Sequence, residues 1–564
     1  MISAKFEKNL KDLIADCVKA LDREGIAKFT PSGVRLPEIE LEVPRDKTHG
    51  DLSTNIALRL SRHVRKNPAE YAALVAEKIN LSVKKSQLKD DVEKAESKPP
   101  GFINFWLSEK YLFETLEYIS GRKNKYGSLF LGRGMRLNVE FVSANPTGPL
   151  TIAHGRQAAF GDTLANILQF AGYRVTREYY LNDEGNQMTM LAESIRARYL
   201  GLFGEPVEFP ADGYQGSYVN DIAAAIKAKY GARFVKKESL GFFSGFGCKC
   251  IMDDIRNDLE SFGVKFDVWY SQKKLARSSR IKSAINFLSK KKLVYEKGGA
   301  LWFKSTEFGD DKDRVMIKST GEYTYLAPDM AYHMHKFKRG FERLIDIWGP
   351  DHHGYIPRMK AAVIAMGRSE ESFQPLIVQL STLYRDGEAV RMSTRAGEFI
   401  TLRELREEVG KDATRFFFLR RKRDSHLDFD MELAKKHSME NPVYYIQYAH
   451  ARICSLLEYK KTRVGGAKSS LNKETLREKD EIDIIKMLGY FPLIVEACAK
   501  TLEVFPLLSY LEEIASLFHS YYNKHRIVTD DTSRAEARLF LCLAIQTVLV
   551  NGLRLIGVAS PKSM

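Results

Sequence analysis

Cysteine is scarce in this chain: six in 564 residues, at positions 17, 248, 250, 454, 498 and 542. Secreted domains held together by disulfides are far denser in cysteine, so the count excludes that class and favours a reducing compartment. Only Cys248 and Cys250 lie close together. No second Cys or His pair at metal-ligand spacing follows them, so a loop with two thiols is expected there, and no zinc. Long apolar runs are also missing. The most apolar stretch, residues 539–558, is interrupted by Gln546, Asn551 and Arg554, which marks a buried helix and not a membrane span. At the N-terminus Phe6, Leu10, Leu13, Ile14, Cys17 and Leu21 fall at helical spacing with acids between them, unlike a signal or transit peptide. There is no internal repeat and no low-complexity tract. A soluble, cytoplasmic chain without a membrane partner is expected.

With 44% hydrophobic and 28% charged residues, extensive disorder is excluded. The length suits about three domains. Formal charge is +15 and unevenly spread: residues 1–118 carry +1, residues 437–564 carry +2, and residues 119–436 hold the remaining +12. A basic excess confined to the middle points to a polyanionic partner there. The lysines at 290–292 and the cluster Arg420, Arg421, Lys422, Arg423 lie in that region, although charge runs of this kind are ordinarily solvated faces.

The N-terminal part mixes helices with short strands. Residues 36–43 alternate like a strand, 51–64 and 68–79 carry helical spacing, and 101–105 have the pattern of an edge or closing strand. The polar residues 121–126 suggest a linker. A βα pattern then begins. Leu137, Val139 and Phe141 alternate, the turn Asn145-Pro146-Thr147-Gly148-Pro149 follows, and a helix presents Phe160, Leu164, Ile167, Leu168 and Ala171 on one face before Gly172 stops it. Residues 173–180 resume as a strand, and further strands are expected at 344–348 and 376–380. The middle is therefore a parallel α/β domain. Beyond about 437 the period is helical, with Leu/Ile-rich faces at 482–518 and 535–556.

The loop after the first strand of that domain runs Ser143-Ala144-Asn145-Pro146-Thr147-Gly148-Pro149-Leu150-Thr151-Ile152-Ala153-His154-Gly155 and opens a helix. Free N–H groups and the helix dipole make such a place a phosphate site, where His154 can donate to a phosphoryl oxygen. This stretch resembles the HIGH signature of class I aminoacyl-tRNA synthetases, and Ala-Asn-Pro-Thr-Gly-Pro-Leu is similar to the arginyl-tRNA synthetases in particular. The second signature of that class, a KMSKS-like loop, is matched by Arg391-Met392-Ser393-Thr394-Arg395. The likeness extends to residues 180–187, 410–416 and 441–452, and so covers essentially the whole chain.

The resemblance implies a multidomain α/β fold. It comprises an α+β N-terminal additional tRNA-binding domain (1–118), a Rossmann-type catalytic domain with insertions (119–436) and an all-α anticodon-binding domain (437–564). It implies attachment of L-arginine to tRNA(Arg) through an arginyl-adenylate, with ATP and its Mg²⁺, in a monomer. His154, Arg391, Ser393 and Arg395 would be catalytic, and Thr151, Ala153, His154, Gly155, His352, His353 and Met392 would bind ATP. Arginine, a planar five-donor fork, demands carboxylates and hydroxyls. The family's matching positions are Glu140, Asn145, Tyr325 and Asp329, with Asp351 a further one. Glu140 inside an apolar strand is notable by itself, because burying it unpaired would cost several kcal/mol. Contacts to tRNA would fall on Asn55, Tyr444, Gln447, Tyr448 and Met564. The chain departs from the pattern at Thr151 and Ala153, where the signature has histidine and glycine, and at Arg391 and Thr394, where lysines are commonest. Gly148 stands where relatives lacking the second lysine often carry one. These departures allow a second reading, a non-catalytic or weakly active paralogue that binds tRNA.

Overall fold

The computed structural model describes residues 4–29, 35–44, 46–237, 239–390, 399–463 and 475–564. At its centre is a five-stranded, wholly parallel sheet formed by β1 (Arg136–Glu140), β2 (Arg174–Leu181), β3 (Val268–Ser271), β4 (Arg343–Trp348) and β5 (Phe373–Ile377). The spatial order is β5-β4-β1-β2-β3. The chain leaves β1 in one direction to build β2 and β3, then returns to add β4 and β5 on the other side. β1 and β4 therefore flank a topological switch point, where their carboxyl ends open a crevice. Helix α1 (Ile152–Phe170) connects β1 to β2, and α2 (Leu326–Lys338) precedes β4.

The sheet carries an unusual row of acids. Pairing places Glu140 of β1 level with Glu178 of β2 on one side and with Asp346 of β4 on the other. In-register neighbours on parallel strands face the same way, so three carboxylates share one face, an arrangement that repels itself unless cations cover it. Helix α2 supplies them.

The N-terminal residues form their own layer, in which helices 4–23, 56–64 and 68–83 pack on a three-stranded antiparallel sheet. Residues 36–43 are not a strand there: a single bridge from Glu42 to Ser53 is all that they contribute. The strand Phe102–Leu107 is not an edge but the central member, paired on both sides. Residues 121–126 are no loose linker either. Tyr126 is fully buried and donates to the Leu488 carbonyl at 2.7 Å, and Asn551 donates to the carbonyls of Lys123 and Tyr126. Cys248 and Cys250 lie on the helix Leu240–Ser261, not in a loop.

The C-terminal part is all helical: α3 (Pro442–Arg463), α4 (Lys479–Thr501), α5 (Phe505–Lys524) and α6 (Thr532–Leu555). α6 is long and apolar enough to cross a membrane by length and composition, yet most of it is buried inside this bundle. Arg415 ties the bundle to the sheet domain. Fully buried, it donates to Asp162 of α1 at 2.7 Å, to the Ile556 carbonyl beyond α6 and to the Phe262 carbonyl.

Candidate active site

The crevice at the switch point holds a cavity of about 840 Å³. Glu140 and Asp346 of the acid row line it with Tyr332 and His333 of α2, and Glu178, Lys336 and Arg339 stand behind them. Tyr332, His333 and Lys336 follow Asp329 by three, four and seven residues and so share its helix face. The Tyr332 hydroxyl lies 2.7 Å from both Glu140 Oε2 and Glu178 Oε1. Lys336, without exposed surface, donates to Glu140 Oε2 at 2.6 Å and to Asp346 Oδ1 at 2.9 Å. Arg339 makes a two-pronged bond to Glu178 at 2.7 and 2.8 Å. His333 joins the Asp329 carbonyl through Nδ1 and Asp346 Oδ2 through Nε2, both at 2.8 Å.

Burial raises the pKa of Glu140 against the opposing charge of Lys336. Burial also opposes the charge on Lys336, but Asp346, Glu140 and Glu178 outweigh it and hold the lysine ionised. Glu140 Oε1 keeps one partner, the Ser143 hydroxyl at 3.1 Å, and so has capacity left for a ligand in the cavity that Glu140 lines.

The segment after β1 is held in a costly shape. Val142 (φ 68°) and Ser143 (φ 38°) both adopt left-handed backbone, which for non-glycine residues costs of order 1–3 kcal/mol each and persists where surroundings enforce it. The enforcing contacts are visible. Ser143 Oγ accepts from Tyr180 N, Tyr179 donates to the Ala144 carbonyl and Tyr218 to the Thr147 carbonyl. Thr151 then caps α1 in a reciprocal box in which His154 Nδ1 accepts from the Thr151 backbone N–H at 3.1 Å. An Nδ1 that accepts leaves the proton on Nε2. Burial lowers the pKa of His154 to about 4, so at neutral pH the ring is an uncharged Nε2–H donor on the cavity wall.

Glu140, Asn145, Tyr325, Asp329 and Asp351, expected around arginine, all line the cavity. Asp329 accepts from the Tyr355 hydroxyl at 2.5 Å, and its burial raises its pKa. Asn145 donates to Gln187 at 2.6 Å, Tyr325 is largely exposed, and exposed Asp351 sits 3.2 Å from His352. Of the expected ATP residues, His154 and His352 line the cavity; Thr151, Ala153, Gly155 and His353 are not among its lining. Gly155 is a packing position, where a Cβ would meet Leu402 at 2.7 Å and Phe418 at 3.0 Å. Arg391, Met392, Ser393, Thr394 and Arg395 lie outside the described residues. Sequence reasoning missed Tyr332, His333, Lys336, Tyr355, Asp346 and Arg358. Asp346, inside the apolar strand Leu344-Ile345-Asp346-Ile347-Trp348, carries the same signal that singled out Glu140. Among the described residues no three His, Cys, Asp or Glu side chains gather as a metal's ligand set.

On α3, Tyr444 stacks on Tyr448 with ring centres 5.9 Å apart, and Tyr448 stacks on His519. Arg452 lies over the Tyr448 ring and donates to its hydroxyl at 3.0 Å. Gln447 faces inward instead, bonding Asp412 at 2.9 Å and the Ala559 carbonyl at 3.0 Å. Met564 is exposed, and Asn55 is half-buried at the start of helix 56–64 with its amide oxygen enclosed and unpartnered.

Comparison with known proteins accounts for nearly the whole chain. Residues 5–107 match the arginyl tRNA synthetase N terminal domain, residues 118–443 the catalytic domain of tRNA synthetases class I (R), and residues 446–564 the DALR anticodon binding domain. An arginine–tRNA ligase of Syntrophotalea carbinolica is 47% identical over 99% of this chain and 100% of its own length. One from Bacillus licheniformis is 44% identical over 99% of each. In fold, the chain resembles the arginyl-tRNA synthetase of Thermus thermophilus, with a TM-score of 0.78, 20% identity, and coverage of 99% of this chain and 100% of that one. A carboxylate-floored crevice beside a phosphate-type helix start, within a chain matched end to end by these three domains, places this protein in the arginyl-tRNA synthetase family of class I.

Proposed function

We propose that the crevice activates L-arginine with ATP and that the chain transfers the arginyl group to tRNA(Arg), as an arginine–tRNA ligase. The observation that carries this reading is the pairing of two acids, buried Glu140 and half-buried Asp329, with the neutral donor His154 in one cavity. Arginine brings two cations, its guanidinium and its α-ammonium, and the two carboxylates match them in number. Asp329 with Tyr325 takes the guanidinium, and Glu140 with Asn145 takes the α-ammonium. The arginine carboxylate then attacks the α-phosphorus of ATP, and pyrophosphate leaves. His154 Nε2–H donates to a phosphoryl oxygen as charge builds there. Mg²⁺ arrives on the ATP phosphates as part of the substrate. A hydroxyl of the terminal ribose of tRNA displaces AMP from the adenylate in the second step. The protein contributes positioning and fixed donors, with no covalent enzyme intermediate.

Residues 1–118 and 437–564 serve as the tRNA-binding and anticodon-binding domains around a catalytic domain at 119–436, in a cytoplasmic monomer. Tyr444, Tyr448, Asn55 and Met564 are the proposed tRNA contacts, with Gln447 holding α3 against the C-terminal tail behind them. Aromatic faces of this kind suit unpaired bases. Arg391, Ser393 and Arg395 are the proposed catalytic residues of the second signature and Met392 its ATP contact, with Arg391 and Thr394 at the two positions where lysine is commonest. The second reading, a non-catalytic paralogue, draws no support from the comparisons. The test is exchange of labelled pyrophosphate into ATP, with arginine present and tRNA added or withheld. Exchange that needs both supports the proposal, and none in the presence of both would refute it.

A further inference from the structure

We propose that Lys336 is a positioning residue for arginine selection: bridging Glu140 and Asp346, it holds the Glu140 carboxylate ionised and turned so that Oε1 meets the substrate's α-ammonium. The inference rests on the reading of Glu140 as an arginine contact.

The geometry leaves Lys336 little other purpose at that place. Glu178, Glu140 and Asp346 stand side by side across three adjacent strands, with Glu140 in the middle. Each outer acid has a cation or ring of its own: Arg339 forks onto Glu178, and His333 binds Asp346. Glu140 has neither. The Tyr332 hydroxyl beside it has a single hydrogen, which it cannot give fully to both Glu140 and Glu178, although it lies 2.7 Å from each. Among the described residues only Lys336, at 2.6 Å, pairs Glu140 with a positive charge. Its bond goes to Oε2, so the carboxylate is pinned from beneath and Oε1 is left with the weak Ser143 contact. The groups that face this spot from the packed elements are Glu140 on β1, Glu178 and Tyr180 on β2, Asp346 on β4, and Tyr332, His333, Lys336 and Arg339 on α2.

Without the lysine charge, the central acid would stand between two others at the buried wall of the cavity. Burial already raises the pKa of Glu140, and it is the member of the row with no other cation. It would take up a proton, lose its attraction for an ammonium and release its orientation. Because that proton leaves again as pH rises, arginine binding in a Lys336 variant should become pH-dependent, which a merely structural loss would not produce.

The test uses the full-length protein and tRNA-dependent pyrophosphate exchange, with KM measured separately for arginine and for ATP between pH 6 and 9. Lys336→Met and Lys336→Gln should each raise the arginine KM about tenfold or more at pH 7, while the ATP KM stays within about twofold. The excess should shrink as pH rises. Glu140→Gln, measured in parallel, should raise the arginine KM on its own, and adding Lys336→Met to it should add little, as for residues acting through one another. If Glu140→Gln raises the arginine KM but the Lys336 variants do not, or do so equally at every pH, the proposal fails while the reading of Glu140 stands. If Glu140→Gln changes nothing, the reading of Glu140 fails first. Failure of both Lys336 variants to fold would assign the lysine to core stability alone and overturn the proposal.

Discussion

Replacing Asp329 with asparagine isolates one charge with little change of shape. Asparagine fills the same space, and its amide oxygen can still accept from the Tyr355 hydroxyl that now sits 2.5 Å from Asp329. What disappears is the negative charge beneath the proposed guanidinium position. A hydrogen bond to a charged group contributes about 1.5–3 kcal/mol, or roughly ten- to hundredfold. The kcat/KM for arginine should fall by that factor, with the ATP KM unchanged, in pyrophosphate exchange at saturating tRNA. A pH signature accompanies it. Burial raises the pKa of Asp329, so the empty protein holds this carboxyl protonated to higher pH than the unfolded chain does. The folded state then binds more protons, and the stability cost of ionising Asp329 grows as pH rises. An arginine cation offsets that cost. Thermal stabilisation by arginine should therefore grow as pH rises in the parent, and grow less in Asp329→Asn, where Glu140 alone keeps a raised pKa. An unchanged kcat/KM, or the same pH trend in both proteins, would remove Asp329 from the guanidinium position.

Other outcomes follow from the same geometry. His154→Ala should lower the exchange rate by about 10²–10³, the scale for losing a preorganised donor. Because its pKa lies near 4, the His154 contribution should be flat from pH 6 to 8, so a rate limb titrating near 6.5 that vanishes in the variant would contradict the neutral-donor assignment. Tyr448→Ala should raise the KM for tRNA while leaving that for arginine alone; equal KM values for tRNA would place the stacked rings in the fold and not the interface. Arg415→Met should cost about 3 kcal/mol or more, since it strips a buried charge from Asp162, and differential scanning calorimetry should show a lower unfolding temperature. No change there would mean the Arg415 contacts contribute nothing net.

Part of this site was visible in the sequence because an acid inside an apolar strand is locally improbable. Glu140 carries that local signal, whereas Asp329 and His154 were indicated by the resemblance of their motifs to the family, and all three line the cavity. The acid row was not visible, because Glu178, Glu140 and Asp346 become neighbours only through strand register, which no stretch of sequence contains. Lys336 had a faint signal, a lysine seven residues beyond Asp329 on a face otherwise facing the sheet. A helix wheel cannot say that this face covers carboxylates. The same limit explains the N-terminal part. Ile103 and Phe105 alternate whether a strand has one partner or two, and only the pairing shows that Phe102–Leu107 lies at the centre. Residues 121–126 look like a linker by polarity, yet one aromatic, Tyr126, anchors them to α4 and draws Asn551 of α6 onto their carbonyls. Composition averages away such single anchors.

The most direct test of the account offers the full-length protein, with ATP and Mg²⁺, a bulk tRNA pool and an equal mixture of all twenty amino acids. The aminoacyl group found on the tRNA is then identified by mass spectrometry. Arginine alone, on arginine-accepting tRNA, is the predicted result. Attachment of any other amino acid, or tRNA binding without attachment, would contradict it.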